Sequence, residues 1–109
     1  MDLTKKKCVP CEGGIPKMMP AEALKMQQHV KDWALLTING IHNLEKRFKF
    51  KDFVEAMKFV NKVAVLAEKE GHHPDIIINW NKVKLQLSTH AIKGLSENDF
   101  IITAKIDKL

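Results

Sequence analysis

Cysteine is nearly absent from this chain: Cys8 and Cys11 are the only two in 109 residues. That is too few for a disulfide framework, so a buried core must hold the fold. No apolar run is long enough to span a bilayer. The N-terminus carries charge at once (Asp2, Lys5, Lys6, Lys7), and no apolar stretch with a small-residue cleavage site follows. A secretory signal is therefore not expected, and a cytoplasmic location is the default expectation. The chain also lacks a Gly-x-Gly-x-x-Gly loop, a P-loop lysine motif and a Gly-x-Ser-x-Gly elbow. Cys8-Val9-Pro10-Cys11 has the CxxC spacing, but the second pair of a closed zinc site is missing and no βαβ context surrounds it. Two reduced thiols in a mobile tail are the expected reading.

What is present fits one domain. At 45% hydrophobic, a chain of this length buries roughly two thirds of the surface it exposes when unfolded, and dimerisation would add to its stability. Eighteen Lys and Arg against thirteen Asp and Glu give a net charge of +5. The excess favours anionic surfaces in general, but it is spread along the chain. Only Lys5 to Lys7 and the Lys46, Arg47, Lys49, Lys51 group concentrate it, without a groove-reading motif or interleaved aromatics. A solvated surface is the simpler reading, and a nucleic-acid role is not expected.

Residues 1–19, with Pro10, Gly13, Gly14 and Pro16, read as an irregular lead-in that can dock, and 20–109 as the domain proper. Pro20 opens a helix over Ala21 to about Val30 with only a weak apolar stripe. Trp33 to Ile38 are strand formers, and Asn39-Gly40 supplies the positive φ that a tight hairpin needs. The returning strand, Ile41 to Phe50, places Leu44, Phe48 and Phe50 on one face and leaves His42 and Lys46 to meet solvent or a partner. Asp52 starts the longest helix, whose Phe53, Met57, Val60, Ala64 and Ala67 form an apolar face; Gly71 and Pro74 end it. A second hairpin pairs Asp75–Trp80, with Ile76, Ile78 and Trp80 on one face, with a strand through Val83, Leu85 and Leu87. Ser96-Glu97-Asn98-Asp99 then caps a final helix. The order α-β-β-α-β-β-α implies an α+β fold: a four-stranded antiparallel sheet with three helices on one face.

The candidate chemistry lies with histidine. His72 and His73 sit in the turn leaving the long helix, and His90 follows the last strand; imidazole suits proton transfer near neutral pH. His29 and His42 read as ordinary surface or hydrogen-bonded residues. Three histidines can also bind zinc, but adjacent residues on an extended segment point to opposite sides, so His72 and His73 do not readily share one ion and no metal is expected. Spacing alone leaves proton transfer and a purely structural role both open.

Several segments together carry a resemblance: Glu68-Lys69-Glu70-Gly71-His72-His73-Pro74-Asp75, Asn79-Trp80-Asn81-Lys82-Val83, Leu87-Ser88-Thr89-His90 and Gly94-Leu95-Ser96-Glu97-Asn98-Asp99. In this order and spacing they resemble the pterin-4a-carbinolamine dehydratase family. The likeness extends upstream through Trp33 and Phe48-Lys49-Phe50-Lys51-Asp52-Phe53, and the Cys8 to Gly14 opening is similar to bacterial members. The resemblance implies the fold read above, self-association as dimers or tetramers, no cofactor, and dehydration of a 4a-hydroxytetrahydropterin made by an aromatic amino acid hydroxylase. It assigns proton transfer to His72 and His90 and substrate orientation to His73. Asp99 and Glu68 are the groups that would fix a histidine tautomer, although a helix-start carboxylate and a surface carboxylate are equally good descriptions of them. Trp80 occupies a family aromatic position, as a ligand contact or a hairpin core residue. Ile76 stands where many relatives have an aromatic residue, which alters the wall expected around a pterin. Because relatives also bind a transcription factor, a non-catalytic interaction module is the alternative reading.

Overall fold

Alternation of apolar residues along two hairpins, interrupted by one long amphipathic helix, leaves a single way to bury both patterns: the helices must cover one face of a shared sheet. A computed structural model, which describes residues 2–9 and 16–109, has this architecture. The elements run α1 (Pro20–Gln27), β1 (Ala34–Ile38), β2 (Ile41–Lys49), α2 (Phe53–Glu70), β3 (Asp75–Asn79), β4 (Lys82–Leu87) and α3 (Glu97–Ile106). The strands lie in the order β1-β2-β4-β3, every neighbouring pair antiparallel. Among the described residues no helix is long and apolar enough to cross a membrane.

The register fixes which side chains face the helices. Leu44 is opposite both Leu35 and Leu87, Lys46 and Ile76 are opposite Leu85, and Phe48 and Ile78 are opposite Val83. Leu44, Leu85, Leu87 and Val83 are buried, with Trp33, Phe100, Ile101 and Ile102, in one core. Period-two geometry corrects one part of the sequence reading. His42 and Lys46 share the parity of Leu44, so they lie on the helix-covered face and not on the opposite one. Lys46 sits at its margin, its Nζ 2.9 Å from Asp107 and 5.0 Å from the centroid of the Phe48 ring.

The turn and cap chemistry is as the sequence indicates. Asn39 and Gly40 both have positive φ, at 52° and 77°. The Asp52 carboxylate accepts the Glu55 N–H at 2.9 Å, and Gly71 closes α2 with φ 68°. Three expectations are displaced. The buried face of α2 is Ala56, Val60, Val63 and Ala67, whereas Phe53 is 50% exposed and Ala64 is also exposed. The true face is turned by roughly half a residue step from the one marked by the larger side chains, because small Ala56 and Ala67 allow close packing on the sheet. Helix α1 stops at Gln27, and it is Ala23, not Leu24, that is buried. Strand β3 ends at Asn79; Trp80 belongs to the two-residue turn, with φ 53° and 64% of its surface exposed.

The lead-in contributes to the core. Leu3, in a short 3-10 turn over Leu3–Lys5, is only 3% exposed. Farther along, Asn98 clamps the Val9 backbone, its Oδ1 accepting the N–H and its Nδ2 donating to the carbonyl. Cys8 is half-buried, not held in a free tail, and burial, then the nearby Glu70 carboxylate, push its thiol up to about 12. Such a thiol is a poor nucleophile at neutral pH. Cys11, like Gly13 and Gly14, lies outside the described residues, so the CxxC reading extends beyond them.

Glu70 joins three parts of the chain. Its carboxylate accepts the Cys8 N–H at 3.0 Å and the Lys105 ammonium at 2.9 Å, with only 5% of its side chain exposed. Burial by itself raises its pKa, but the bonds from Cys8 and Lys105 outweigh that, and the net effect lowers it below its ordinary value. A carboxylate depressed on folding contributes stability above its unfolded pKa and loses that contribution as pH falls through the folded value. Glu70→Gln is therefore expected to be about 2 kcal/mol less stable than the parent near neutrality, the usual worth of a hydrogen bond to a charged group. The difference should shrink in the acid range below the ordinary glutamate pKa, as seen in urea melts across pH. A difference that stays constant down to the acid limb would show that the charge of Glu70 contributes nothing.

Candidate active site

The second hairpin and its flanking turns bring the histidines together. Gly71, in the left-handed conformation, reverses the chain at the end of α2 and delivers His72 and His73 directly before β3. Strand β4 runs antiparallel beside β3, so its exit, Ser88-Thr89-His90, returns to the same end of the sheet. A reciprocal Thr89–Gly94 backbone bridge, with N–H to carbonyl distances of 2.7 and 3.4 Å, closes the loop that carries His90. His72, His73 and His90 line one hollow of about 230 Å³, together with Gly71, Ser88, Thr89 and Ala91. That is smaller than a typical drug-sized pocket, and its scale suits a compact flat ring system.

Two of the three rings are seated on carboxylates. His72 is buried, with Nε2 2.6 Å from Asp99 Oδ1. Asp99 is itself fully buried at the start of α3, where its Oδ2 accepts the Ser96 N–H at 3.0 Å as part of a capping box. The same Oδ2 accepts the Thr89 hydroxyl at 2.8 Å, and Thr89 Oγ1 lies 2.8 Å from Ser96 Oγ. One residue thus serves as both helix cap and histidine partner, the two descriptions that the sequence left open for Asp99. His73 is exposed and holds Glu68 Oε2 at 2.6 Å. His72 and His73 therefore turn to different carboxylates. Among the described residues no group of three His, Cys, Asp or Glu donors is arranged to hold a metal.

Of the candidate residues, the structure gathers His72, His73, His90, Glu68 and Asp99 at one end of the sheet. Trp80 lies at the other end of the β3–β4 hairpin, about 17 Å away by the length of a five-residue strand. Within one chain it does not reach the hollow. Ile76, in place of the aromatic residue expected on family grounds, is half-buried and packs on the core. Thr89 and Ser96 were not marked by sequence as part of the site. Their signal was present, a hydroxyl directly before His90 and an N-cap three residues before Asp99, but only the tertiary approach of the two loops connects them.

Comparison with known proteins agrees with this geometry. The family model described as pterin 4 alpha carbinolamine dehydratase matches residues 16–109. A relative from Methylococcus capsulatus is 48% identical over 98% of this chain and 92% of its own, and one from Alkaliphilus metalliredigens is 46% identical over 98% and 95%. Both are named, provisionally, as pterin-4-alpha-carbinolamine dehydratases. Among solved structures, a Brucella melitensis protein described as a transcriptional coactivator/pterin dehydratase superposes with a TM-score of 0.76 at 29% identity, covering 85% of this chain and 97% of that one. With a match across nearly its whole length and a histidine-lined hollow at the end of its sheet, the chain belongs to the pterin-4-alpha-carbinolamine dehydratase family of hydro-lyases.

Proposed function

We propose that the hollow binds a 4a-hydroxytetrahydropterin and that its histidines carry the two proton transfers of dehydration. The departing hydroxyl at carbon 4a receives a proton and leaves as water, and the adjacent ring nitrogen gives one up, yielding the quinonoid dihydropterin. Protons balance without any redox partner, so no cofactor is required. His72, before β3, and His90, after β4, both line the hollow and are assigned these transfers; His73, held by Glu68, orients the ring. The observation that carries this reading is the convergence of three imidazoles on one hollow, one of them anchored on a buried carboxylate. Positioned acid and base groups contribute about 10²- to 10⁴-fold each.

On this reading the substrate comes from an aromatic amino acid hydroxylase, and the protein recycles that enzyme's pterin in the cytoplasm. Self-association as a dimer or tetramer is supported by Phe53, Val54 and Val65, apolar and exposed on α2, and by the uncovered edge of β3 with Ile77 and Ile78. A second reading, an interaction module, has the description of the Brucella protein in its favour. The deciding experiment supplies purified protein with a 4a-hydroxytetrahydropterin and follows quinonoid product by absorbance. Formation well above the spontaneous rate, little altered by salt, is expected; a rate equal to that in buffer would leave only the interaction module.

A further inference from the structure

The geometry points to Thr89, fed by Ser96, as a positioning residue that fixes the tautomer of His72 through Asp99. The inference rests on the proposal that His72 transfers a proton; Thr89 lines the hollow, but its hydroxyl is engaged by Asp99 and Ser96 and acts on the imidazole through the carboxylate. Asp99 Oδ2 receives two donors, the Thr89 hydroxyl and the Ser96 N–H, while Oδ1 faces His72 Nε2. Thr89 has one hydrogen to give. Since it goes to Asp99, the 2.8 Å contact between Thr89 Oγ1 and Ser96 Oγ is filled by the Ser96 hydrogen. The order is then fixed from end to end: Ser96 O–H to Thr89, Thr89 O–H to Asp99, and Asp99 accepting from His72 Nε2–H. A neutral imidazole that donates from Nε2 carries its lone pair on Nδ1, so the chain of hydroxyls favours one of the two tautomers of His72.

Burial makes this selection strict. Thr89 and Ser96 are each 1% exposed and Asp99 is 0% exposed, so no bulk water stands ready to replace a missing donor. The covalent path adds to the effect. Thr89 directly precedes His90, and its backbone N–H and carbonyl form the bridge to Gly94 that closes the His90 loop. One residue thereby sets the ring state of one proposed proton carrier and the placement of another.

The test compares Thr89→Val, which keeps the shape and removes the hydroxyl, with Thr89→Ser, which restores it, and with Ser96→Ala, which removes only the donor to Thr89. Turnover of 4a-hydroxytetrahydropterin is read below each variant's own melting transition. The imidazole nitrogens of His72 are followed by NMR, which distinguishes Nε2–H from Nδ1–H. Thr89→Val should lose about 10- to 100-fold in kcat with KM little changed, the scale on which groups orienting a functional histidine act. Its His72 signals should show a mixture of tautomers, Thr89→Ser should recover most of both, and Ser96→Ala should fall between. Wild-type kcat and a single Nε2–H tautomer in folded Thr89→Val or Ser96→Ala would overturn the relay, as would Thr89→Ser behaving like Thr89→Val. A fully active His72→Ala would instead remove the parent proposal and this one with it.

Discussion

Replacing His72 and His90 together by alanine is expected to bring turnover of a 4a-hydroxytetrahydropterin down by at least about 10²-fold, towards the spontaneous rate, in a protein that remains folded. The two losses should not multiply. When acid and base act on the same step, removing one already forfeits most of what the other provides, so each single variant should lie close to the double. Folding survives for reasons visible in the structure. His90 is exposed, and truncating it removes no core contact. His72 is buried, but without it Asp99 keeps the Thr89 hydroxyl and the Ser96 N–H, so the carboxylate is not stranded. Circular dichroism and a thermal melt verify the fold, and kcat reports the chemistry. His73→Ala should differ in kind: its ring is largely exposed and held by Glu68, so KM should rise more than kcat falls. Full activity in the folded double variant would show that the proton carriers have been misassigned.

Much of this architecture is legible in the sequence, where local chemistry permits only one geometry. Asn39-Gly40, Asp52 and Gly71 each fix a turn or a helix end because few residue types tolerate those backbone angles or supply those donors and acceptors. The strands were legible through period two. What the sequence obscured was which of two nearly equivalent faces is buried. On α2 the larger residues Phe53, Val54 and Val65 are exposed while Ala56 and Ala67 are buried beside Val60 and Val63, a choice made by the fit against the sheet and not by hydrophobicity. Trp80 reads as strand for a related reason, since strand propensity continues through it while the two-residue turn claims it. At the site, the histidines were legible as types and as loop positions. The Ser96–Asp99 capping box is local and legible, but the coupling of Asp99 to His72 and Thr89 joins separate segments, and no local pattern encodes contacts of that range.

Trp33 shows how a residue that reads as a strand former can matter more as a keystone of the core. It precedes β1, is fully buried, and packs edge-on to Phe48 at 6.1 Å between ring centroids. Its indole N–H reaches the Asp107 carboxylate at 3.1 and 3.2 Å, so it ties the entrance of the sheet to the end of α3. Trp33→Ala removes the largest side chain among the fully buried residues, and the cavity adds to the lost burial, giving about 3–5 kcal/mol of destabilisation. Against a domain stability of about 5–15 kcal/mol that is a large fraction, and the melting temperature should fall by about 15–25 °C. Trp33→Phe separates the causes. It keeps most of the packing and removes the hydrogen bond, while Asp107 retains Lys46 Nζ at 2.9 Å, so its cost should be about 1–2 kcal/mol. Melts of the two variants beside the parent decide the matter. If Trp33→Phe fell as far as Trp33→Ala, the bond to Asp107 would be the dominant element; if both melted like the parent, the burial of Trp33 would contribute nothing to the core.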